Sequence, residues 1–124
     1  FSPARARPYR GRWPYRRATR RDVWVDDPTS PHYNRWRQLA RGARPAWRSA
    51  EKLSSYKLAI VVRHNDAPIK KGAGSAIFIH AADAQMNATP GCTTIRLHAL
   101  RGLLGWLDPR RKPILVQLPG GLPR

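Results

Sequence analysis

The stretch "GSAIFIHAADAQMNATPGCTTI", residues Gly74 to Ile95, decides how this chain is read. Ser75 to His80 is apolar and β-branched, so it reads as a strand with Ala76, Phe78 and His80 on its inward face. The loop "AADAQMNATPG" follows, and it ends in Thr89-Pro90-Gly91-Cys92. Pro and Gly at the two central positions ask for a type II turn, whose third residue needs positive φ. Cys92, the single cysteine of the chain, therefore opens a new segment at a sharp corner. Such a corner projects a thiol while backbone N–H groups turn toward the same spot, as an oxyanion-stabilising site requires. A histidine in hydrogen-bond reach would take the thiol proton. The bland alternative is a cysteine packed as a small hydrophobe and a histidine bonded to a carbonyl; spacing alone favours it.

Working outward, "YKLAIVVRHN" (Tyr56 to Asn65) reads as a buried strand and "DAPIKKGAG" as a turn. After the cysteine, Thr93 to Ile95 continues extended. Leu97, Leu100, Leu103, Leu104 and Leu107 then share one helical face, and Asp108-Pro109 ends that helix. "KPILVQLP" (Lys112 to Pro119) predicts a closing strand, with residues 120–124 as a tail. Upstream, Asp22 to Trp36 is rich in aromatics, Pro and Asp and reads as an irregular structured loop, followed by a short helix over Trp47 to Leu53. No internal repeat is visible. The fold class expected is mostly β with one or two short helices.

The chain has 124 residues, room for a single domain. Its net charge is +17, from 24 Lys and Arg against 7 Asp and Glu. Residues 1–21 carry eight arginines, three prolines and no acid, and predict an extended, self-repelling basic arm or a solubilising leader. The domain proper is expected over residues 22–119. The longest apolar run, Leu58 to Val62, is too short to cross a bilayer. The chain starts at Phe1 rather than Met, so the expectation is a processed, exported protein whose signal has been removed. One cysteine forbids an internal disulfide.

Several other chemistries find no footing. His32, His64 and His98 lack metal-ligand spacing, so no metal and no cofactor are expected. No carboxylate pair suits a glycosidase, and Gly72-x-Gly74 is too short for a phosphate-binding loop. Trp47 and Trp106 are expected in the core, and His98 on the surface. Glu51 is expected in a solvated ion pair with a neighbouring arginine.

"GSAIFIH" followed by "TPGCTTI" resembles the signature of YkuD-like L,D-transpeptidase domains, in which a His-bearing strand precedes a Ser/Thr-x-Gly-Cys motif. "WVDDPTSPHYN" and "EKLSSYKLAIVVRHN" are similar to one branch of that family, and the likeness runs from Asp22 to Leu118. The resemblance implies a small β-sandwich or barrel-type domain in the periplasm or cell envelope. Cys92 would be the nucleophile, His80 its general base, and the Gly91 and Cys92 amides the oxyanion donors. Thr89 matches the motif's hydroxyl residue. The reaction implied is peptidoglycan cross-linking: the thiol attacks a stem peptide after an L-centre, expels a D-amino acid, and passes the acyl group to an amine of a second stem.

The motif departs from the commoner pattern at Pro90, where many members have a second histidine, and at Thr94, where they tend to have arginine. Arg96, on the face of Cys92 and Thr94, is a candidate for the displaced charge. In the upstream block Trp24, Asp27 and Tyr33 are candidates to line the substrate groove, while Asp26 reads slightly better as a loop residue bonding its own backbone. Two rivals stay open. One is a carboxypeptidase or D-amino-acid exchange enzyme of the same thiol chemistry. The other is a polyanion- or nucleic-acid-binding module using the arginines and interleaved aromatics, with an inert Cys92. The enzyme reading, which expects no nucleic acid partner and no transmembrane segment, is preferred because the basic arm lies mostly outside the resemblance.

Overall fold

The computed structural model describes residues 1–3, 11–82 and 89–118. It is a small, mostly β domain with three small sheets and one α-helix among those residues. Strand β1 (Ser2–Pro3) pairs in parallel with β2 (Arg17–Ala18). Strands β3 (Asp22–Val25), β4 (Arg35–Gln38) and β5 (Ala50–Lys52) form an antiparallel sheet in the order β4-β3-β5. Strands β6 (Ala59–Val61), β7 (Phe78–Ala81) and β8 (Thr93–Ile95) form a mixed sheet in the order β6-β7-β8, with β7 and β8 parallel. Helix α1 spans Leu97–Trp106.

Strand β7 is central, and all four of its residues are buried, which explains why His80 is the one polar residue in it. Its two faces serve two layers. Phe78, with Ala59 and Val61, packs with Phe1, Leu53, Trp24, Trp36 and Tyr56 against the β4-β3-β5 sheet. The Phe78 ring makes edge contacts with Phe1, Trp24 and Tyr56 at 5.4, 5.4 and 5.5 Å between centroids. On the other face Ile79 and Ala81 meet Leu100 and Leu104 of α1, the two leucines buried on the face predicted for that helix. Asp108 then ends the helical run by capping a 3-10 turn over Pro109–Arg111.

Several expectations need correction. Asp22 to Trp36 is not an irregular loop: it contributes β3 and the start of β4. The buried Asp22 anchors that sheet by accepting from the Thr19 hydroxyl and amide, the Trp36 indole and Gln38. Nor is Trp47 to Leu53 a helix, because Ala50–Lys52 is captured by the edge of β3 and Leu53–Ser55 is a 3-10 turn. The segment Lys112 to Leu118 forms no strand: Lys112 turns left-handed at φ 46°, and Ile114 and Val116 are 86% and 69% exposed. Trp106 is on the surface, not in the core. The described parts of residues 1–21 pack on the domain: Phe1 is in the core, Trp13 Nε1 donates to Leu107 O at 3.1 Å, and Arg16 lies over the Trp36 ring at 4.1 Å. The expected tail over 120–124, with residues 4–10 of the expected arm, lies outside the described residues.

Candidate functional site

The register of β7 and β8 brings the cysteine and the histidine together. His80 pairs with Thr94 and Ile79 with Thr93, so one further step along β8 sets Cys92 opposite Phe78. Paired residues of parallel strands point to the same face, and that face alternates every second residue. Cys92 and His80 are therefore diagonal neighbours on the face of β7 that looks toward the β4-β3-β5 sheet. The corner before Cys92 needs its glycine: Gly91 has φ 127°, and a Cβ there would stand 3.0 Å from Ile77 Cδ1. The expected type II turn is an open bend instead, braced by the Thr89 hydroxyl donating to Cys92 O.

Both residues line one cleft of about 520 Å³, together with Asp26, Glu51, Ser55, Tyr56, Lys57, Ser75, Ala76, Ala81, Thr89 and Pro90. Cys92 is partly buried, and its thiol donates to Ala76 O at 3.3 Å. Burial pushes the thiol pKa up; the Phe78 amide, donating to the sulfur, works against this, and the Glu51 charge adds to it. Burial and the Glu51 charge together bias the sulfur toward its protonated form. His80 is buried, and its Nδ1 lies 3.1 Å from Ala81 O. A carbonyl only accepts, so Nδ1 carries a proton, and the neutral form of the ring has its lone pair on Nε2. The Tyr56 ring stands edge-on to the imidazole at 4.9 Å and fixes its plane.

No hydrogen bond joins Cys92 to His80; each is bonded to backbone. Proton transfer between them requires the thiol to leave Ala76 O by a rotation about χ1, a step between staggered rotamers. The arrangement is a thiol and an imidazole in one cleft, beside a glycine corner. Such a pair can deprotonate the sulfur as it attacks a carbonyl.

The opposite wall comes from β3, β5 and the turn after β5. Trp24 pairs with Glu51, and the Asp26 amide donates to Ser49 O at 3.4 Å. Trp24, Asp26 and Glu51 therefore share one face of that sheet, turned toward β7. The Tyr56 hydroxyl donates to Glu51 Oε1 at 3.0 Å; burial, then the Glu51 charge and that hydrogen bond, raise the phenol pKa. Ser75 Oγ donates to Val25 O at 3.2 Å and ties the two walls together. Asp26 Oδ1 is shut from solvent and has no hydrogen-bond partner.

The remaining candidates from the sequence divide differently. Trp24 packs on Phe78 and donates to Asn34 Oδ1 at 2.9 Å. Asp27 is buried and accepts from the Thr29 amide and hydroxyl and from the Arg48 amide, so it is a loop anchor. Tyr33 is buried in the same loop. None of these three lines the cleft, and neither do Thr94 or Arg96; Arg96 is exposed at the N-terminus of α1. Thr89 lines the cleft, but its hydroxyl is engaged in the corner. Glu51 bonds Tyr56 rather than an arginine.

Asp26, Glu51 and Tyr56 are the site residues the sequence reading missed. The signal for Asp26 was its spacing of two from Trp24, which on a strand places both on one face. Among the described residues no three His, Cys, Asp or Glu converge as a metal-holding group, and no helix is long and apolar enough to cross a membrane. No family model, curated protein or solved structure matches the chain.

Proposed function

We propose that this protein is an exported L,D-transpeptidase that cross-links peptidoglycan stem peptides through a Cys92 thioester. The observation that carries the reading is the meeting of Cys92 and His80 on one face of adjoining strands, in a single cleft, beside the left-handed Gly91. The motif resemblance from Gly74 to Ile95 supports it and supplies the substrate class and the envelope setting.

In this reading the thiol leaves Ala76 O and gives its proton to His80 Nε2 as Sγ attacks a stem carbonyl that follows an L-centre. The Gly91 and Cys92 amides are the candidate donors to the oxyanion. Collapse of the tetrahedral intermediate breaks the C–N bond, and the imidazolium returns the proton to the departing D-amino acid. An acceptor amine of a second stem then attacks the thioester, and its proton passes by way of His80 back to the sulfur.

Cys92→Ala is expected to abolish cross-link formation while leaving the fold intact, because Cys92 sits at the edge of the core and its thiol donates only to the Ala76 carbonyl among the described residues. Intact mass after exposure to a carbapenem should show one adduct, mapped to Cys92. Full activity of Cys92→Ala would end the proposal. Muropeptide mass spectrometry separates the near rival: new dimers mean transfer, and trimmed monomers mean carboxypeptidase action. The burial that pushes the Cys92 pKa up is what the other alternative, an inert cysteine in a basic polyanion-binding module, would also show. That module would form no adduct and would bind polyanions with an affinity that falls steeply with salt.

A further inference from the structure

Six of the seven acidic residues of this chain are described; Asp83 is outside the described residues. Four of the six are fully occupied. Asp22 is held by Thr19, Trp36, Gln38 and Arg16, and Asp27 by Thr29 and the Arg48 amide. Asp66 pairs with Arg35 and Arg63 at 2.8 and 2.5 Å, and Asp108 with Arg12 and Arg110 at 3.3 and 2.6 Å. Asp26 and Glu51 are different. Neither is in an ion pair with a described residue, in a protein with 24 Lys and Arg, and both line the cleft of Cys92. Among the described residues their only side-chain hydrogen bond is the one from Tyr56 to Glu51 Oε1. A solvent-shut carboxylate oxygen without a donor, as at Asp26 Oδ1, is costly, and folds seldom keep one without a use.

We propose that Asp26 and Glu51 form a cation subsite beside Cys92 that takes a primary ammonium group of the substrate. The placement follows from the sheet: Trp24 pairs with Glu51, and Asp26 lies two residues beyond Trp24 on the same face. An ammonium offers three donors and no acceptor, which suits two carboxylates with open oxygens and no competing arginine. Lys57 also lines the cleft, so the ligand is best a cation on a flexible stem, reaching in where no described side chain bonds Asp26 Oδ1. An ammonium beside Glu51 would also cancel a charge that helps hold the Cys92 thiol protonated. The subsite depends on the acyl-transfer reading for what the bound amine does, but not for whether the amine binds.

The test uses two probes, Nα-acetyl-lysine methyl ester and its neutral Nα,Nε-diacetyl counterpart, titrated into the full chain and followed by amide chemical shifts. Saturable shifts around Asp26 and Glu51 are expected with the cation only. Asp26→Asn and Glu51→Gln should each weaken the cation by about tenfold, as loss of a charge-assisted hydrogen bond does. Asp108→Asn, on a different groove, should bind like the parent. Asp26 has no side-chain bond on Oδ1, so its variant is expected to fold. Equal binding of the neutral probe, or unchanged affinity in Asp26→Asn, overturns the subsite. Carbapenem adduct formation on the same samples separates the two ideas. An adduct without amine binding removes the subsite alone, whereas amine binding without an adduct removes the transferase reading alone.

Discussion

The two three-stranded sheets divide the candidate site between them and differ in how they are built. The β6-β7-β8 sheet is apolar on both faces and supplies Cys92 and His80; its central strand is buried throughout. The β4-β3-β5 sheet is held largely by polar groups, with Asp22, Asp27 and Asn34 buried and bonded at its ends and loops. It supplies Asp26 and Glu51. A reactive pair placed on rigid apolar strands keeps its geometry, while the carboxylate wall stands on strands whose ends and loops are tied by hydrogen bonds. The contrast is between a sheet stabilised by burial and one stabilised by charge and hydrogen bonding.

The largest expected effect tests the first half of that contrast. Phe78→Ala removes the ring that touches Phe1, Trp24 and Tyr56 across the sheet interface, and should cost about 3–5 kcal/mol. Val25→Ala, in the middle of the polar sheet, should cost about half of that at most. Urea unfolding with unchanged m-values measures both, and a larger loss at Val25 would reverse the comparison. Next in size is His80→Gln, which should lower cross-linking by about 100-fold or more, with the unfolding midpoint little changed. A folded His80→Gln protein of full activity would mean that Nε2 of His80 is not the base.

How much of this was legible in the sequence follows the same division. The strand ending in His80, the glycine corner and the leucine face of α1 are marked by short-range patterns that burial on both sides of β7 reinforces. Asp22 to Val25 carries no alternation strong enough to announce a strand: Asp22 bonds Thr19 and Trp36 rather than being apolar, and Trp24 directs its indole N–H to Asn34. Ala50-Glu51-Lys52 favours helix locally, and pairing with β3 overrides that preference. The opposite failure is "KPILVQLP", strand-like in composition but, among the described residues, without a strand partner once Lys112 redirects the chain; there Gln117 Nε2 donates to Thr93 Oγ1 of β8 at 2.8 Å. Long-range pairing decides such segments, and a local pattern cannot carry it. Glu51 and Asp26 became visible as site residues only when that pairing set them opposite the cysteine.

The polar sheet also predicts an acid response. Burial disfavours the Asp22 charge, but hydrogen bonds from Thr19, Trp36 and Gln38 outweigh it and hold the carboxyl below its ordinary range. Asp27 is lowered by the Arg48 amide first and then by Thr29. A carboxyl lower in the folded than in the unfolded chain adds stability above its unfolded pKa of about 3.9, and that stability is lost as pH falls through the folded value. Stability should therefore hold from neutral pH to roughly pH 4.5 and fall below it. Asp22→Asn should cost about 1–2 kcal/mol at neutral pH and flatten the acid slope. An unchanged slope in that variant, measured by denaturant midpoints across pH, would show that Asp22 does not set it.

The smallest effect joins the two sheets directly. Glu51 sits on the polar sheet, yet its charge adds to the burial that raises the Cys92 thiol pKa on the apolar one. In Glu51→Gln the charge is gone and the Tyr56 hydroxyl keeps an oxygen to bond, so the wall should hold its shape. The thiol pKa then falls, and the thiolate fraction at pH 7–8 rises. Because the thiolate is the nucleophile, iodoacetamide should alkylate Cys92 about two- to fivefold faster in this variant. The rate–pH curve should shift toward lower pH with an unchanged plateau. A shift in the other direction would mean that Glu51 acts on the sulfur through Tyr56 and the packing of the cleft rather than through its charge.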